Sequence, residues 1–316
     1  MTKENTFLED IDLGLSSEKK FISSHFFYDK IGDELFQKIM ELPEYYLTNC
    51  ELEIFRDQSE SIISSFDIIK DQEFELIELG AGDGKKTQYL LDNLLKNGYN
   101  FKYIPVDISQ NSLDVISDRL VNLFPYLTLE AKQGEYFTVL DELFSSEKPK
   151  VILFIGSNLG NLNDEVAHDF LNKLATHLKP NEKLLLGLDL IKSREIVLPA
   201  YNDAQGVTRE FNMNLLKRIN EDLGANFILE NFKHQPEYTE EGFAKSYLVS
   251  KIKQEVYVKD LDKTFEFDEN EKIHTEISRK YNDEILNDLL KNSSLEISDK
   301  FLDSKNYFAD YILTKK

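Results

Sequence analysis

Short apolar runs alternate with helix-like segments through the middle of this 316-residue chain. In the helix-like segments, hydrophobic residues recur three and four positions apart, which is the spacing of an amphipathic helix. Strands are predicted at 75–79, 101–107, 126–131, 150–155 and 184–190, and helices at 87–95, 112–123 and 166–178. The run at 150–155 is continuously apolar, which is typical of a central parallel strand buried on both faces. The alternation predicts an α/β fold with a doubly wound, Rossmann-like parallel sheet.

The N-terminal region has a different pattern. Residues 1–22 are polar and weakly patterned, so we expect an arm laid over the surface. A helix is predicted from His25 to Met40 and ends before Pro43, because proline has no backbone N–H for the helix ladder. Residues 48–51 have the form of a capping box, which predicts that a second helix begins there.

The pattern changes again after Lys192. A polar loop at 201–208 precedes a predicted helix that ends near residue 223. Short runs of alternating apolar and polar residues then follow over 226–277, which predicts an antiparallel sheet separate from the parallel one. A helix is predicted at 282–290 and strands at 295–297 and 307–313, the last of which is expected to complete the first sheet as an antiparallel strand.

Composition and charge narrow the function classes. The formal net charge is −21, and the lysines are scattered among acids, so we expect no nucleic-acid partner. The N-terminal sequence lacks an apolar signal core, and no apolar run approaches the length of a membrane span. The single cysteine, Cys50, excludes an intramolecular disulfide. We therefore expect a monomer in the cytoplasm, with no membrane partner.

Three glycines spaced one apart, Gly80, Gly82 and Gly84, follow the first predicted strand. Glycine permits a sharp turn and lets a ligand approach without meeting a Cβ atom. The spacing G-x-G-x-G differs from the dinucleotide fingerprint G-x-G-x-x-G and suits a loop around an adenosyl amino acid. The alternative is a glycine-rich turn that binds nothing.

Polar residues also follow the later strands. Asp107 ends the second strand, where an acid can accept the ribose hydroxyls of an adenosyl group; the alternative is that it caps the next helix, near Ser109. Gly134, Glu135 and Tyr136 follow the third strand, where an adenine could be flanked. The loop at 156–162 follows the central strand, so its polar side chains are expected to face a substrate.

From about His25 to its end, the chain resembles the L-histidine Nα-methyltransferase family of ergothioneine biosynthesis. Ordered segments together carry the resemblance, and each would be weak alone. They are Tyr28-Asp29-Lys30-Ile31-Gly32 with Leu42-Pro43-Glu44-Tyr45-Tyr46, Glu78-Leu79-Gly80-Ala81-Gly82 with Lys86-Thr87, Gly156-Ser157-Asn158-Leu159-Gly160-Asn161-Leu162, Tyr201 through Thr208 with Glu210-Phe211-Asn212, and Thr275-Glu276-Ile277-Ser278-Arg279-Lys280-Tyr281.

The resemblance implies a class I methyltransferase sheet interrupted by a second, α+β domain that holds and closes over a small amino-acid substrate. The expected parts are N-terminal helices at 1–57 belonging to the substrate domain, a methyltransferase core at 58–190, the rest of the substrate domain at 191–280, and a return to the core at 281–316. The implied cofactor is S-adenosyl-L-methionine, and the implied chemistry needs no metal.

The resemblance also assigns roles to matching residues. The cofactor would be lined by Gly80, Gly82, Lys86, Asp107, Glu135 and Tyr136. Asn161 and Tyr201 would hold the substrate carboxylate, with Tyr28 and Tyr45 near its amino group, where either tyrosine is a candidate to help remove a proton. The reaction would be in-line displacement of a sulfonium methyl group by the α-amine, repeated to the trimethylated betaine, hercynine.

Glu276 and Ser278 would bind the imidazole in this interpretation. A glutamate accepts the N–H of an imidazole, and a serine pairs with the other ring nitrogen. Such a site rejects a ring without those nitrogens, because its buried polar groups would stay unpaired. The resemblance places Tyr247 in the adjoining wall. The alternative from the residues alone is an alternating strand with its polar face in water.

Three other functions stay open at the level of sequence. The first is Nα-methylation of another amino acid or amine. The second is a nicotinamide-dependent oxidoreductase, which the glycine spacing and the lack of a recognisable hydride-transfer site disfavour. The third is a catalytically idle binding protein of the same fold.

Overall fold

The protein divides into two compact units in the computed structural model, which describes residues 3–316 and side chains from residue 7 onward. The sheet unit comprises Leu47–Ile191 and Lys280–Lys316. The second unit comprises the chain up to Tyr46 together with Lys192–Arg279. Residues 1 and 2 of the predicted N-terminal arm lie outside the described residues.

The secondary structure of the described residues follows the chain in this order. The helices are α1 Lys3–Ser16, α2 Lys30–Met40, α3 Tyr46–Ser64, α4 Gln88–Lys96, α5 Gln110–Leu123, α6 Tyr136–Leu143, α7 Asp164–Thr176, α8 Arg194–Ala200, α9 Val207–Leu223 and α10 Asp283–Leu289. The strands are β1 Phe74–Leu79, β2 Phe101–Asp107, β3 Lys132–Gln133, β4 Lys150–Phe154, β5 Lys183–Asp189, β6 Phe232–Tyr238, β7 Phe243–Ser250, β8 Gln254–Val258, β9 Lys263–Phe267, β10 Lys272–Arg279, β11 Leu295–Leu302 and β12 Phe308–Lys315.

The sheet unit is built on a seven-stranded sheet in the order β11-β12-β5-β4-β1-β2-β3. Strands β3, β2, β1, β4 and β5 run parallel, and β12 pairs antiparallel with β5, as predicted. Every residue of β1, β4 and β5 is buried, because the central strands are covered on both faces. The predicted doubly wound α/β fold is confirmed, and the order reverses between β1 and β4, where such sheets bind ligands.

The second unit contains two antiparallel sheets. One has the strand order β10-β7-β6, and the other is the β8-β9 pair. The antiparallel sheet predicted for 226–277 is therefore confirmed, although it is split in two. Its core joins Leu248 of β7 to Phe211 and Leu215 of α9.

The N-terminal segment belongs to that core, so the prediction of a surface arm is wrong. Phe7, Ile11 and Leu15 lie four residues apart on α1 and are all buried. They form one apolar stripe in the same hydrophobic cluster as α9. The acids between them, Glu9, Asp10 and Asp12, mask this stripe in the sequence.

Several other predicted boundaries are corrected. The helix predicted from His25 is a 3-10 turn at Ser24–Phe27 followed by α2, because the Asp29 carboxylate caps α2 by accepting the N–H of Gly32 at 2.6 Å. The strand predicted at 126–131 is wrong, since only a bridge at Leu129 precedes the short β3. The helix α8 was not predicted.

The predicted capping box at 48–51 is also wrong, because α3 begins at Tyr46 and continues without interruption to Ser64. Glu51 lies inside this helix and is completely buried. The predicted domain boundary at residue 57 falls within the same helix, whereas the compact units separate between Tyr46 and Leu47. None of the described helices is both long and apolar enough to cross a membrane.

Candidate active site

The glycine loop leaves β1 at the reversal of strand order. Gly80 has φ +73°, a left-handed conformation that glycine adopts without steric cost, and its N–H donates to Val106 O at 2.8 Å. A Cβ atom at Gly80 would lie 2.7 Å from the Tyr136 hydroxyl oxygen and 3.3 Å from Asn158 Nδ2. The bare backbone of Gly80 therefore leaves a cradle bordered by polar groups from α6 and from the loop after β4.

Asp107, at the end of β2, is tied to the same loop. Its carboxylate accepts the backbone N–H of Ser109 at 2.9 Å, and Gly82 and Ile108 also donate to it. Burial raises the pKa of Asp107 above its usual range, although these N–H groups act in the opposite direction. Helix α5 is capped by Ser109, whose hydroxyl accepts the N–H of Ser112, so Asp107 is not the cap.

Tyr136 begins α6 beside this loop. Burial raises the pKa of Tyr136 to about 12, with the charges of Asp107 and Glu135 acting in the same direction. Its hydroxyl therefore stays protonated at neutral pH and is able to donate a hydrogen bond. Glu135 is the exposed N-cap residue of α6. The structure thus brings Gly80, Gly82, Asp107 and Tyr136 together.

Lys86 forms a buried ion pair with Glu51 of α3. Burial favours the neutral amine, but the charges of Glu51, Glu78 and Asp310 outweigh it, so the pKa of Lys86 is raised. Its side chain keeps 22% of its surface exposed, whereas that of Glu51 keeps 1%. Lys86 Nζ also lies close to Gly156, because a Cβ atom there would be 3.4 Å away.

Glu78 lies beneath the glycine loop on β1. Its carboxylate accepts the Tyr103 hydroxyl at 2.5 Å and the Thr87 hydroxyl at 2.8 Å. Burial raises the pKa of Glu78 to about 7, although these two hydrogen bonds and the charge of Lys86 oppose the change. This carboxyl group therefore titrates near neutrality.

Substituting Glu78→Gln should remove one contribution to the pH dependence of the free energy of unfolding. The folded state holds the Glu78 proton more tightly than the unfolded chain does. The contribution of this proton to the free energy of unfolding is therefore complete below pH 4.5 and is lost as the pH rises through about 7. From pH 4 to pH 8, the free energy of unfolding of the variant should rise by about 3 kcal/mol relative to wild type, at about 1.4 kcal/mol for each pH unit separating the two pKa values. Urea unfolding at several pH values measures this, and parallel curves would contradict it.

The second unit contains a separate cluster of polar side chains. Tyr201 follows α8, and its hydroxyl donates to Ser278 Oγ of β10 at 2.8 Å. Glu276, two residues earlier on β10, accepts the Ser246 hydroxyl of β7 at 3.2 Å. The loop between Tyr201 and α9 is fixed by Asp203, whose carboxylate accepts the N–H groups of Val207 and Thr208.

A β-bulge in β10 decides which side chains share a face with Glu276. The register shifts between His274 and Glu276, so His274 pairs with Tyr247 and Glu276 pairs with Ser246. The Tyr247 ring packs against the His274 ring, with 5.4 Å between the ring centroids. The predicted placement of Tyr247 beside Glu276 is therefore wrong, and Ser246 occupies that position.

The remaining predicted residues lie in different units, Tyr28 and Tyr45 in the second unit and Asn161 in the sheet unit. Tyr28 is 47% exposed, and its ring centroid is 5.6 Å from that of Phe36, while the ring centroid of the half-buried Tyr45 is 6.2 Å from that of Phe36. Tyr28 and Tyr45 thus border one aromatic side chain of the second unit. Asn161 is exposed at the end of the 3-10 turn Asn158–Asn161 in the sheet unit.

Sequence reasoning missed Glu51, Ser246 and Asp310. A signal for Glu51 was available, because it lies at helical spacing from Leu47 and Phe55 on the apolar face of α3. Asp310 similarly interrupts the apolar run of β12. The contact of Ser246 with Glu276 depends on the bulge and has no signal in the sequence.

Comparison with known proteins gives consistent matches. A family model described as a histidine-specific, SAM-dependent methyltransferase matches residues 7–315. The chain is 34% identical over 273 residues to the histidine N-alpha-methyltransferase of Mycobacterium tuberculosis, covering 86% of this chain and 83% of that protein. It is 28% identical over 303 residues to ergothioneine biosynthesis protein 1 of Schizosaccharomyces pombe, covering 93% of this chain and 39% of that protein. A solved S-adenosylmethionine-dependent methyltransferase from Clostridium acetobutylicum aligns with a TM-score of 0.46 at 13% identity, covering 83% of this chain and 92% of that one.

Proposed function

Because the chain belongs to the family of histidine-specific, S-adenosylmethionine-dependent methyltransferases, we propose that it methylates the α-amino group of L-histidine. The observation that carries the choice of substrate is the pair Glu276 and Ser278 on β10, with Ser278 bonded to Tyr201. A carboxylate and a hydroxyl two residues apart offer an acceptor and a second hydrogen-bonding group to the two nitrogens of one imidazole ring.

The residues around the glycine loop fit an adenosyl cofactor. The cradle at Gly80 would be filled by any Cβ atom, and Asp107 at the end of β2 is suited to accept ribose hydroxyls. Tyr136 and Glu135 would flank the adenine, and the partly exposed Lys86 would meet the cofactor carboxylate. When bound, the cofactor supplies a methyl group activated by its sulfonium.

The protein's own task is to hold the substrate amine in line and unprotonated. Asn161 and Tyr201 would hold the substrate carboxylate, which fixes where the amine lies. Tyr28 or Tyr45, directly or through water, would help the amine to shed its proton to solvent, because an ammonium ion has no lone pair to attack with. Aromatic faces also stabilise a quaternary ammonium, which supports repeated transfer to the trimethylated betaine.

Substituting Tyr45→Phe should slow methyl transfer by about tenfold to a hundredfold while leaving cofactor affinity unchanged. The ring and its contact with Phe36 stay, and only the hydroxyl that would take part in proton transfer is lost. Single-turnover rates and calorimetric binding of S-adenosylhomocysteine measure the two effects separately. Tyr257→Phe is the control, because it removes from β8 a tyrosine hydroxyl that donates to Asp262 in the turn before β9. Equal losses of rate and affinity in Tyr45→Phe would remove Tyr45 from this role.

Mass spectrometry tests the proposed function directly. The purified protein is incubated with S-adenosylmethionine and an equal mixture of the common amino acids. We expect methylation of histidine alone, by up to three methyl groups. Methylation of another amino acid would retain the chemistry and refute the substrate, whereas cofactor binding without turnover would favour an idle binding protein.

We propose a monomer, which size-exclusion chromatography with light scattering tests, and a cytoplasmic location. The location is supported by the sole cysteine, Cys50, which is buried and forms no disulfide.

A further inference from the structure

Three acids surround Lys86 inside the sheet unit, and they come from distant parts of the chain. Glu51 lies on α3, Glu78 on β1 and Asp310 on β12. All three are at most 1% exposed, whereas the Lys86 side chain reaches the surface. Lys86 therefore connects a closed group of carboxylates with the edge of the glycine loop.

The backbone around Glu51 is shaped for its carboxylate. Glu51 Oε1 accepts the N–H of Gly156 at 2.7 Å, and its other oxygen pairs with Lys86. A Cβ atom at Gly187 would lie 2.2 Å from Glu51 Oε1 and 3.0 Å from Asp310 Oδ1. Glycine at position 187 thus allows both acids to reach the same point below the loop that follows β4.

The hydrogen bonding of Asp310 requires a proton between its carboxyl group and that of Glu51. Within the described residues, no N–H or O–H group of the protein donates to either of its oxygens. Its hydrogen-bonding contact is the carboxylate of Glu51. Two carboxylates form a hydrogen bond only when one of them is protonated. Burial raises the pKa of Asp310 well above its usual range, and the charge of Glu51 acts in the same direction.

We infer that Glu51 and Asp310 share one proton and act as positioning residues for Lys86. The pair carries a single negative charge, which balances the ammonium of Lys86 and keeps it ionised although it is largely buried. Glu51 at the same time holds the backbone of Gly156, in the loop that follows β4. The part of this inference that concerns the cofactor rests on the proposed contact of Lys86 with the cofactor carboxylate.

Two isosteric variants distinguish the effect of the shared proton from the effect of the counter-charge that keeps Lys86 ionised. Asp310→Asn retains a donor toward Glu51 and needs no proton, so it should bind S-adenosylhomocysteine within threefold of wild type from pH 6 to pH 9. Glu51→Gln combined with Asp310→Asn removes the counter-charge and leaves only Glu78 facing Lys86. Binding by the double variant should weaken by at least about tenfold at pH 9 relative to wild type and by less at pH 6, because loss of the Glu51–Asp310 counter-charge lowers the pKa of the largely buried lysine.

Isothermal calorimetry measures these affinities, and the ratio to wild type cancels the titration of the ligand's own amino group. Glu75→Gln is the matched control, since Glu75 is a buried acid on β1 that contacts Ser146 at 3.0 Å and Lys150 at 3.8 Å. It should keep the wild-type pH profile. A double variant with the wild-type profile would overturn the positioning role.

Thermal unfolding without cofactor tests the shared proton independently. As the pH rises above about 4, wild type should lose stability relative to Asp310→Asn, because the folded state holds a proton that the unfolded chain releases. Parallel curves would overturn proton sharing. Failure of the wild-type protein to bind S-adenosylhomocysteine would instead refute the proposed function, and the unfolding curves would still decide the shared proton.

Discussion

Substituting Glu276→Gln should lower kcat/KM for L-histidine by about a hundredfold without changing the affinity for the cofactor. The glutamate is half-buried on β10 and accepts a hydrogen bond from Ser246. Glutamine has the same shape but replaces a charged acceptor by a neutral amide. A hydrogen bond to a charged group contributes about 1.5–3 kcal/mol, and an unpaired buried donor adds a further cost. Steady-state kinetics with histidine and calorimetry with S-adenosylhomocysteine measure the two quantities.

Selectivity gives the sharper readout of this substitution. If Glu276 recognises the imidazole, the preference for histidine over amino acids without a ring N–H should shrink along with the efficiency. Glu237→Gln is the matched control, because Glu237 lies on β6 of the same sheet and pairs with Lys272 at 2.6 Å. Unchanged selectivity in Glu276→Gln, or an equal loss in Glu237→Gln, would show that Glu276 does not read the substrate ring.

Substituting Gly80→Ala should weaken binding of S-adenosylhomocysteine by at least about tenfold. A left-handed conformation costs a residue with a Cβ atom about 1–2 kcal/mol. The new methyl group would also lie 2.7 Å from the Tyr136 hydroxyl oxygen, so Tyr136 must move. The substitution therefore both fills the cradle and displaces a proposed adenine-binding side chain.

Gly98→Ala separates these two causes. Gly98 has φ +70°, close to that of Gly80, but a Cβ atom there would meet no atom within 4 Å. Both variants should lose stability in urea unfolding, Gly80→Ala by at least as much as Gly98→Ala because of its contact with Tyr136, and only Gly80→Ala should lose cofactor affinity. Wild-type affinity in Gly80→Ala would place the cofactor away from this loop.

Local patterns were sufficient to predict the parallel sheet and its glycine loop. Strand β2 was predicted with both of its ends correct, and the antiparallel return of β12 followed from the C-terminal apolar run. These features depend on near neighbours in the sequence, because a buried parallel strand is apolar throughout and a left-handed turn requires glycine. Helix α1 was missed because its buried apolar side chains, Phe7, Ile11 and Leu15, are spaced among acids.

Only the part of the candidate site around the glycine loop could be predicted from the sequence. Gly80, Gly82, Asp107 and Tyr136 converge because the ends of neighbouring parallel strands meet at one edge of the sheet. The face of β10 that carries Glu276 was not predictable, since a bulge of one residue exchanges the two faces of a strand. That bulge replaced Tyr247 by Ser246 as the neighbour of Glu276.

The sequence by itself therefore determined the fold class, the glycine loop and the order in which polar residues follow the strands. Only the tertiary structure decided the charge environment of Lys86, because its partners lie on α3, β1 and β12. Periodicity marks Glu51 and Asp310 as acids in apolar surroundings, but it carries no information about what they face. A buried charge is tolerated only beside its counter-charge, and that pairing is made by the packing of distant elements.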